Sequence, residues 1–269
     1  MIVANKYKII EKIGSGCFGS VYKGINIRTN EIVAIKMESS KLLIKNEAKI
    51  YQYLNREKDC ICVPEIKWFG VYEGSTFMVM NLLGTSLKDF VAKSIANSIA
   101  NVFSLNEILH IGKKLVENIM YIHKNQIIHR DIKPENFLFS HRCEKSLANT
   151  FLYIIDFGFA KMYVKNGKHI PVSYDKGMIG SPNFVSINIH NGIEASRRDD
   201  LESIGYILLW IFQRGNLEWN NKRNEEIKEM KINCLSKINI PKQICEFIKY
   251  CRKLKYSETP NYEYLLSLF

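Results

Sequence analysis

The sequence predicts an α+β chain: a small β-rich part, then a larger helical part, with a cleft between them. Three observations predict it. Over residues 7–37, β-prone runs are separated by glycine and asparagine turns. From Ser104 onward, apolar residues recur at helical spacing. The candidate reactive side chains also fall into two distant groups, one around Lys36 and one running from Asp131 to Asp156.

In chain order, Ile9 and Ile10 lead into Gly14-Ser15-Gly16-Cys17-Phe18-Gly19, and Val21-Tyr22 resumes the strand pattern. Thr29-Asn30 is a turn, and Ile32 to Met37 is an apolar strand. Residues 41–54 change to helical spacing, with Leu43, Ile50 and Leu54 on one side. Trp68 to Val71 and Phe77 to Met80 read as two further strands, and Gly84 closes the β-rich part. Ser104-Leu105-Asn106-Glu107 is a capping box, in which a hydroxyl and a carboxylate satisfy the free amides of a helix start. An apolar stripe from Leu105 to Met120 follows, and His123, Lys124 and Asn125 suit the helix end. Leu201 to Phe212 is apolar nearly all round, as a buried central helix would be. A single domain over 1–269 is expected, divided into 1–83 and 84–269.

At 269 residues the chain can bury a sizeable core, and 46% hydrophobic with 24% charged residues is a globular composition. The N-terminus lacks the apolar core of a signal peptide, and the run Ile204 to Phe212 is too short to span a bilayer. The seven cysteines are irregularly spaced with no CxxC pair, which argues against a zinc site or a disulfide framework. A cytoplasmic or nuclear protein without membrane insertion is expected. The net charge of +11 is spread out, with 12 basic and 8 acidic residues in 1–83. Such a surface suits acidic partners, but lysine surplus alone is usually a solvated face, so nucleic acid is not the expected ligand.

Gly14, Gly16 and Gly19 form GxGxxG, where backbone amides can approach phosphate oxygens. A dinucleotide-binding turn would open a helix next, whereas Val21-Tyr22-Lys23 continues as strand. In Val33-Ala34-Ile35-Lys36, the lysine can neutralise the phosphates of ATP, with Glu47 as its anchor from the following helix. In His129-Arg130-Asp131-Ile132-Lys133-Pro134-Glu135-Asn136, Asp131 suits a base that orients a hydroxyl, and Lys133 can stabilise a transferring phosphate. Asn136 and Asp156, the latter in Asp156-Phe157-Gly158, supply hard oxygens for Mg2+. Each residue alone could be a turn or cap; the order and spacing together point to phosphoryl transfer from ATP.

These motifs match the protein-kinase signature set. The chain resembles a eukaryotic-type protein kinase over essentially its full length, and Lys133 places it with the serine/threonine branch. Leu82 to Leu87, Ser186-Ile187-Asn188 in place of Ala-Pro-Glu, Ser196 to Tyr206, Asn5-Lys6-Tyr7, Tyr250 to Leu254 and Pro260-Asn261-Tyr262 resemble the casein kinase I family. Vaccinia-related kinases share some of these and fit less well. The resemblance implies a bilobal protein-kinase fold, with a small β-rich N-lobe carrying one main helix and a larger α-helical C-lobe. It also implies a monomeric, ATP- and Mg2+-dependent enzyme acting on serine or threonine of acidic or phosphorylated protein substrates.

By the same resemblance, Met80 is the gatekeeper, and the backbone from Asn81 to Leu83 meets adenine. Ile13, Val21, Ala34, Leu138 and Ile155 would sandwich the purine, although aliphatics at such positions are usually plain core. Asp200 would hold the catalytic-loop backbone, and Arg197 would help fix Ser186-Ile187-Asn188.

The chain departs from the family at Asn183, where an arginine normally reads a phosphate upstream of the target serine. A neutral amide makes a weaker contact to phosphate than a charge-assisted one. Weaker preference for pre-phosphorylated substrates is therefore expected, unless Lys222, Arg223 or Lys176 restores the site. Arg130 could bind an activating phosphate, but the family generally works without one. The chain stops at Phe269, where relatives commonly carry a regulatory tail, so a minimal constitutive enzyme is one reading and a truncated chain the other. The rival to catalysis is a pseudokinase scaffold, yet Lys36, Glu47, Asp131, Asn136 and Asp156 are all present.

Overall fold

The computed structural model describes residues 1–16, 19–38, 41–56, 62–97, 103–140, 151–236 and 239–269. The first part is a six-stranded antiparallel sheet made from β1 (Ile2–Val3), β2 (Tyr7–Gly16), β3 (Gly19–Asn26), β4 (Ile32–Glu38), β5 (Ile66–Tyr72) and β6 (Ser75–Asn81). Its strand order is β1-β2-β3-β4-β6-β5. A helix, α1 (Lys41–Leu54), crosses between β4 and β5.

Alternation along β4 decides what each face does. Val33 and Ile35 join Phe77, Val79, Tyr7 and Val3 in a small core of the sheet itself. Ala34 points the other way and joins Met78 and Met80 in the main core, which runs on into the helical part. Lys36 shares that second face and is registered between Val21 and Met78. The face that carries the lysine is thus the one turned toward the second lobe. In α1 the buried stripe is Ile44, Glu47, Ala48, Tyr51 and Leu54, with Leu43 half-buried. Tyr51 lies four residues after Glu47, which puts both on one face.

The second part begins with α2 (Leu87–Ala96) and α3 (Leu105–Lys124), the latter opened by the expected Ser104–Glu107 capping box. Short strands then frame the loops: β7 (Ile127–Ile128), β8 (Phe137–Phe139), β9 (Leu152–Ile154), β10 (Lys161–Met162), β11 (Val164–Lys165) and β12 (Lys168–His169). The helices α4 (Ile187–His190), α5 (Arg197–Phe212), α6 (Asn224–Asn233), α7 (Lys242–Lys253) and α8 (Tyr262–Ser267) complete it. The expectation for a buried central helix holds for α5, which starts four residues earlier than its apolar run. Leu201, Ile204, Ile207 and Leu208 are fully buried in it. The N-terminal turn carries Asp199 and Asp200, where free amides and the helix dipole favour carboxylates.

Two strand pairings place the site. Pairing of β8 with β9, and of β7 with β10, clamps residues 129–136 beside the segment that follows β9. The Ile155 amide then donates to the Asn136 carbonyl (2.9 Å), which brings Asp156 alongside Asn136. No helix among the described residues is long and apolar enough to cross a membrane.

Candidate active site

Lys36 extends from β4 toward the second lobe. Its Nζ lies 2.7 Å from Glu47 Oε2, 3.2 Å from Glu38 Oε1 and 3.3 Å from Asp156 Oδ1. Glu38 is a member of this cluster that the motif reading missed. It lies two residues beyond Lys36 on the same face of β4, a spacing that could have flagged it. Burial alone would lower the Lys36 pKa, but the three carboxylates outweigh it and hold the ammonium well above its usual range. Burial raises Asp156, and the charge and hydrogen bond of Lys36 together with the charges of His129 and Lys133 more than offset this, leaving the carboxyl below the ordinary aspartate value. The Lys36–Asp156 contact is an ionic tie between the two lobes, beside hydrogen bonds such as that of Tyr121 OH to the Leu54 carbonyl (2.8 Å).

Asp131 is nearly buried at 4% exposure, and both its carboxylate oxygens have donors. Lys133 Nζ donates to Oδ2 at 2.6 Å, and Ser181 Oγ donates to Oδ1 at 3.0 Å. Asn136 Nδ2 donates to the Asp131 carbonyl at 2.8 Å, which leaves its amide oxygen as the remaining ligand atom. Ser181 has no role of its own in the sequence motifs. Its role depends on a contact fifty residues away in sequence, which no local pattern encodes. Gly180 next to it has φ +101°, and a Cβ there would lie 2.6 Å from the Arg130 carbonyl. Only glycine lets the two segments come this close.

Behind these groups stands a column that the motif reading largely missed. Tyr51 OH accepts a hydrogen bond from the Asp156 amide at 3.1 Å, and its ring meets Phe157 edge-on at 5.0 Å. Phe157 meets His129 at 5.0 Å, and the His129 ring bonds the Ile155 carbonyl at 3.0 Å. Asp200 takes the expected position: it accepts from the amides of His129 (2.7 Å) and Arg130 (2.9 Å). Its Oδ2 also meets His123 Nε2 at 3.0 Å, and His123 Nδ1 meets Tyr262 OH at 2.7 Å. The loop 129–131 is therefore braced from α3, α5 and α8 together.

Around the cleft, Ala34 and Met80 are almost fully buried, Val21, Asn81, Leu83, Leu138 and Ile155 are half-buried, and Ile13 is exposed. Ala34 is paired in register with Met80, which puts both on the Lys36 face. Gly14, Ser15 and Gly16 end β2 and Gly19 starts β3; Cys17 and Phe18 lie outside the described residues. A Cβ on Gly19 would come 2.1 Å from the Met37 carbonyl, so this glycine is required by strand packing as well. A separate cavity of about 530 Å³ lies on the outer side of α1, bounded by Asn46, Tyr53, Arg56 and Met162, and it contains none of the residues named from the motifs.

One sequence expectation is corrected. Arg197 does not hold Ser186-Ile187-Asn188. Its guanidinium donates to the carbonyls of Ser257 (2.9 Å) and Glu258 (3.2 Å) and stacks on Tyr163. Asp199 holds that segment instead, accepting from Ser186 Oγ (2.6 Å) and Asn188 Nδ2 (3.0 Å). The cause is helical phase: Arg197 and Asp199 are two positions apart in α5 and face different neighbours.

A polar cleft of about 260 Å³ opens beside the Asp131 loop, lined among others by Pro134, Glu135, Asn183, Phe184, Gly215 and Asn220. Asn183 Nδ2 donates to Asn220 Oδ1 at 3.1 Å. Lys88 also borders it, already paired with Glu135 at 2.9 Å. Lys222, Arg223 and Lys176 are not among its lining residues, and Arg223 is paired with Glu226 on the surface. Arg130 donates to the Phe159 carbonyl at 2.6 Å and lies 3.7 Å from Glu194, which also pairs with Lys161 at 3.2 Å.

The family model described as the protein kinase domain matches residues 7–266 of this chain. The chain belongs to the protein kinase family. It carries a protein-kinase catalytic domain, with the β-rich N-lobe and helical C-lobe of that fold.

Proposed function

We propose, from the premise that the chain is a protein kinase, that it is a constitutive serine/threonine kinase of the casein kinase I type with little dependence on substrate priming. The observation that carries the catalytic part is the convergence of Lys36, Asp156 and Asp131 from segments far apart in sequence. Lys36 and Asp156 meet at 3.3 Å, and Asn136 joins Ile155, the neighbour of Asp156, to Asp131 through its carbonyl and its side-chain amide. On this reading 1–269 is one catalytic unit divided near Leu83. A pseudokinase scaffold would have no use for an intact lysine–glutamate–aspartate cluster.

The chemistry follows from the placement. Asp131, held by Lys133 and Ser181, would orient the substrate hydroxyl and take its proton as the new O–P bond forms and the bond from the γ-phosphorus to the β–γ bridging oxygen of ATP breaks, releasing ADP. Lys133 is close enough to share its charge with the γ-phosphate in flight. Lys36, anchored by Glu47, faces the α- and β-phosphates of ATP. Asn136 and Asp156 suit Mg2+: their hard oxygens on one side of the cleft would hold the ion. The metal supplies charge neutralisation for the phosphates. Ala34, Val21, Met80, Leu138 and Ile155, with Ile13 above, line the place for the purine, and the backbone from Asn81 to Leu83 meets its edge. The transition state is loose, so positioning and charge carry most of the rate.

Two observations support the finer reading. Glu194 already gives Arg130 and Lys161 a carboxylate where an activating phosphate would otherwise sit. The cleft beside Asn183 is lined by amides and an internally paired Lys88–Glu135, so it offers a phosphoserine no unpaired cation. The test uses phosphatase-treated chain with Mg-ATP, an acidic serine peptide and its phosphorylated twin. Phosphate transfer without prior activation and a primed advantage under about 10-fold are expected. No activity after phosphatase treatment, or a large primed advantage, would sink the finer reading while leaving the fold untouched.

A further inference from the structure

We infer that Lys231 is a positioning residue for the protein substrate: its buried ammonium holds the strip Pro182–Val185 in the shape that presents a peptide to Asp131. Lys231 lies on α6, outside every motif used above, and is 0% exposed. Its Nζ donates to the Pro182 carbonyl at 2.7 Å and the Val185 carbonyl at 2.6 Å. It sits 4.6 Å from the Tyr206 ring centroid and 5.8 Å from that of Trp219, and 3.2 Å from His190 Nε2. Trp219 Nε1 donates to the Asn183 carbonyl at 3.0 Å. Three carbonyls of one short strip are thus gripped by two side chains from beneath.

The strip needs such a grip. It has no strand or helix partner of its own, and a buried carbonyl left unpaired is costly. Among the described residues, the Lys231 ammonium has no carboxylate within ion-pair distance. Glu202, the nearby acid, is taken by Arg252 at 3.1 Å, while Arg252 also donates to the Lys231 carbonyl at 2.7 Å. Burial pushes the Lys231 ammonium down to about 7, and holding an amine with only carbonyls and aromatic faces to solvate its charge is an expensive way to pack a helix. A methionine would fill the same space without that cost. The charge is explained by the position of what it holds. The strip begins one residue after Ser181, whose hydroxyl is bonded to Asp131, and Asn183 and Phe184 line the polar cleft beside the catalytic loop. Loosening the strip would therefore move the peptide's seat while leaving Lys36, Asp156 and the purine pocket in place.

The inference rests on the reading that protein hydroxyls are accepted over this strip. Peptide phosphorylation by the parent chain tests that reading, and the variants test the inference. Lys231→Met and Trp219→Phe remove the two grips separately, and each is assayed for peptide KM, kcat and Mg-ATP affinity. A rise of about 10-fold or more in peptide KM for Lys231→Met is expected, with a smaller rise for Trp219→Phe and Mg-ATP affinity kept within about 2-fold. Parallel loss of nucleotide and peptide affinity in the folded variants would overturn the inference, as would an unchanged peptide KM. If Lys231→Met does not fold, the Trp219→Phe split between peptide KM and nucleotide affinity decides alone.

Discussion

The two sides of the catalytic cleft are built from opposite materials. On the nucleotide side, Lys36 is surrounded by Glu38, Glu47 and Asp156, and Lys133 is paired with Asp131 at 2.6 Å. On the protein-substrate side, Asn183 and Asn220 bond each other, and the bordering Lys88 is spent on Glu135. Charge is concentrated where a triphosphate has to be neutralised and kept out of the place where a peptide would lie. On the proposed function, the contrast makes affinity for ATP and choice of substrate separable. The first depends on ion pairs across the lobes, and the second on amides and on a backbone strip held from below.

The largest expected effect breaks the charged side. Asp131→Asn keeps the shape but cannot take the proton, and Lys36→Met removes the phosphate anchor; each should lower turnover by about 100- to 10,000-fold. Thermal unfolding of Asp131→Asn should stay close to the parent, which separates lost chemistry from lost fold, whereas Lys36→Met should melt lower because Glu38 and Glu47 lose their buried cation. Retained turnover in either would break the comparison at its stronger end.

A smaller effect sharpens the neutral side. Asn183→Arg brings a cation to the cleft, and its kcat/KM for a phosphorylated peptide should rise by about 10-fold relative to the unphosphorylated twin. Rates on the unphosphorylated peptide should change little. If the ratio does not move, the amides are not what sets tolerance of unprimed substrates.

The smallest effect concerns stability beneath the strip. Burial, and then the neighbouring charges of Lys231 and Lys228, push His190 down to about 4, opposed by a hydrogen bond with the Pro182 backbone and more weakly by Glu225. Its imidazole therefore stays neutral in the fold where the unfolded chain would bind a proton. Between about pH 6.5 and 4 the unfolded state holds more protons, so stability falls as pH is lowered through that window. Allowing for the half-exposed ring, the loss is about 1 kcal/mol. Melting temperatures at pH 7 and pH 4.5 should show it, and His190→Asn should flatten the slope.

Much of this was readable along the chain because it is local. The strands through Ile32 to Met37 and Phe77 to Met80, and the helices at 41–54 and after Ser104, follow from side-chain periodicity and capping. Both act over a few residues and therefore appear in the letters. The reactive set Lys36, Glu47, Asp131, Asn136 and Asp156 was also legible, since its spacing is imposed by chemistry on one nucleotide. Glu38 and Tyr51 lay within reach of the same reasoning, at i+2 on a strand and i+4 on a helix.

What the chain could not announce is which distant group each polar atom finds. That Arg197 turns to Ser257 and Glu258 while Asp199 holds Ser186 depends on the rotation of α5 in its packed setting. That Ser181 reaches Asp131, or that Lys231 is buried under Pro182 and Val185, depends on which helices settle against the activation strip. Sequence by itself determined the elements, the family resemblance and the set of side chains proposed to act on phosphate. Tertiary structure alone decided how those atoms are braced, because a buried donor must pair with whichever acceptor packing leaves nearest, however far away it lies along the chain.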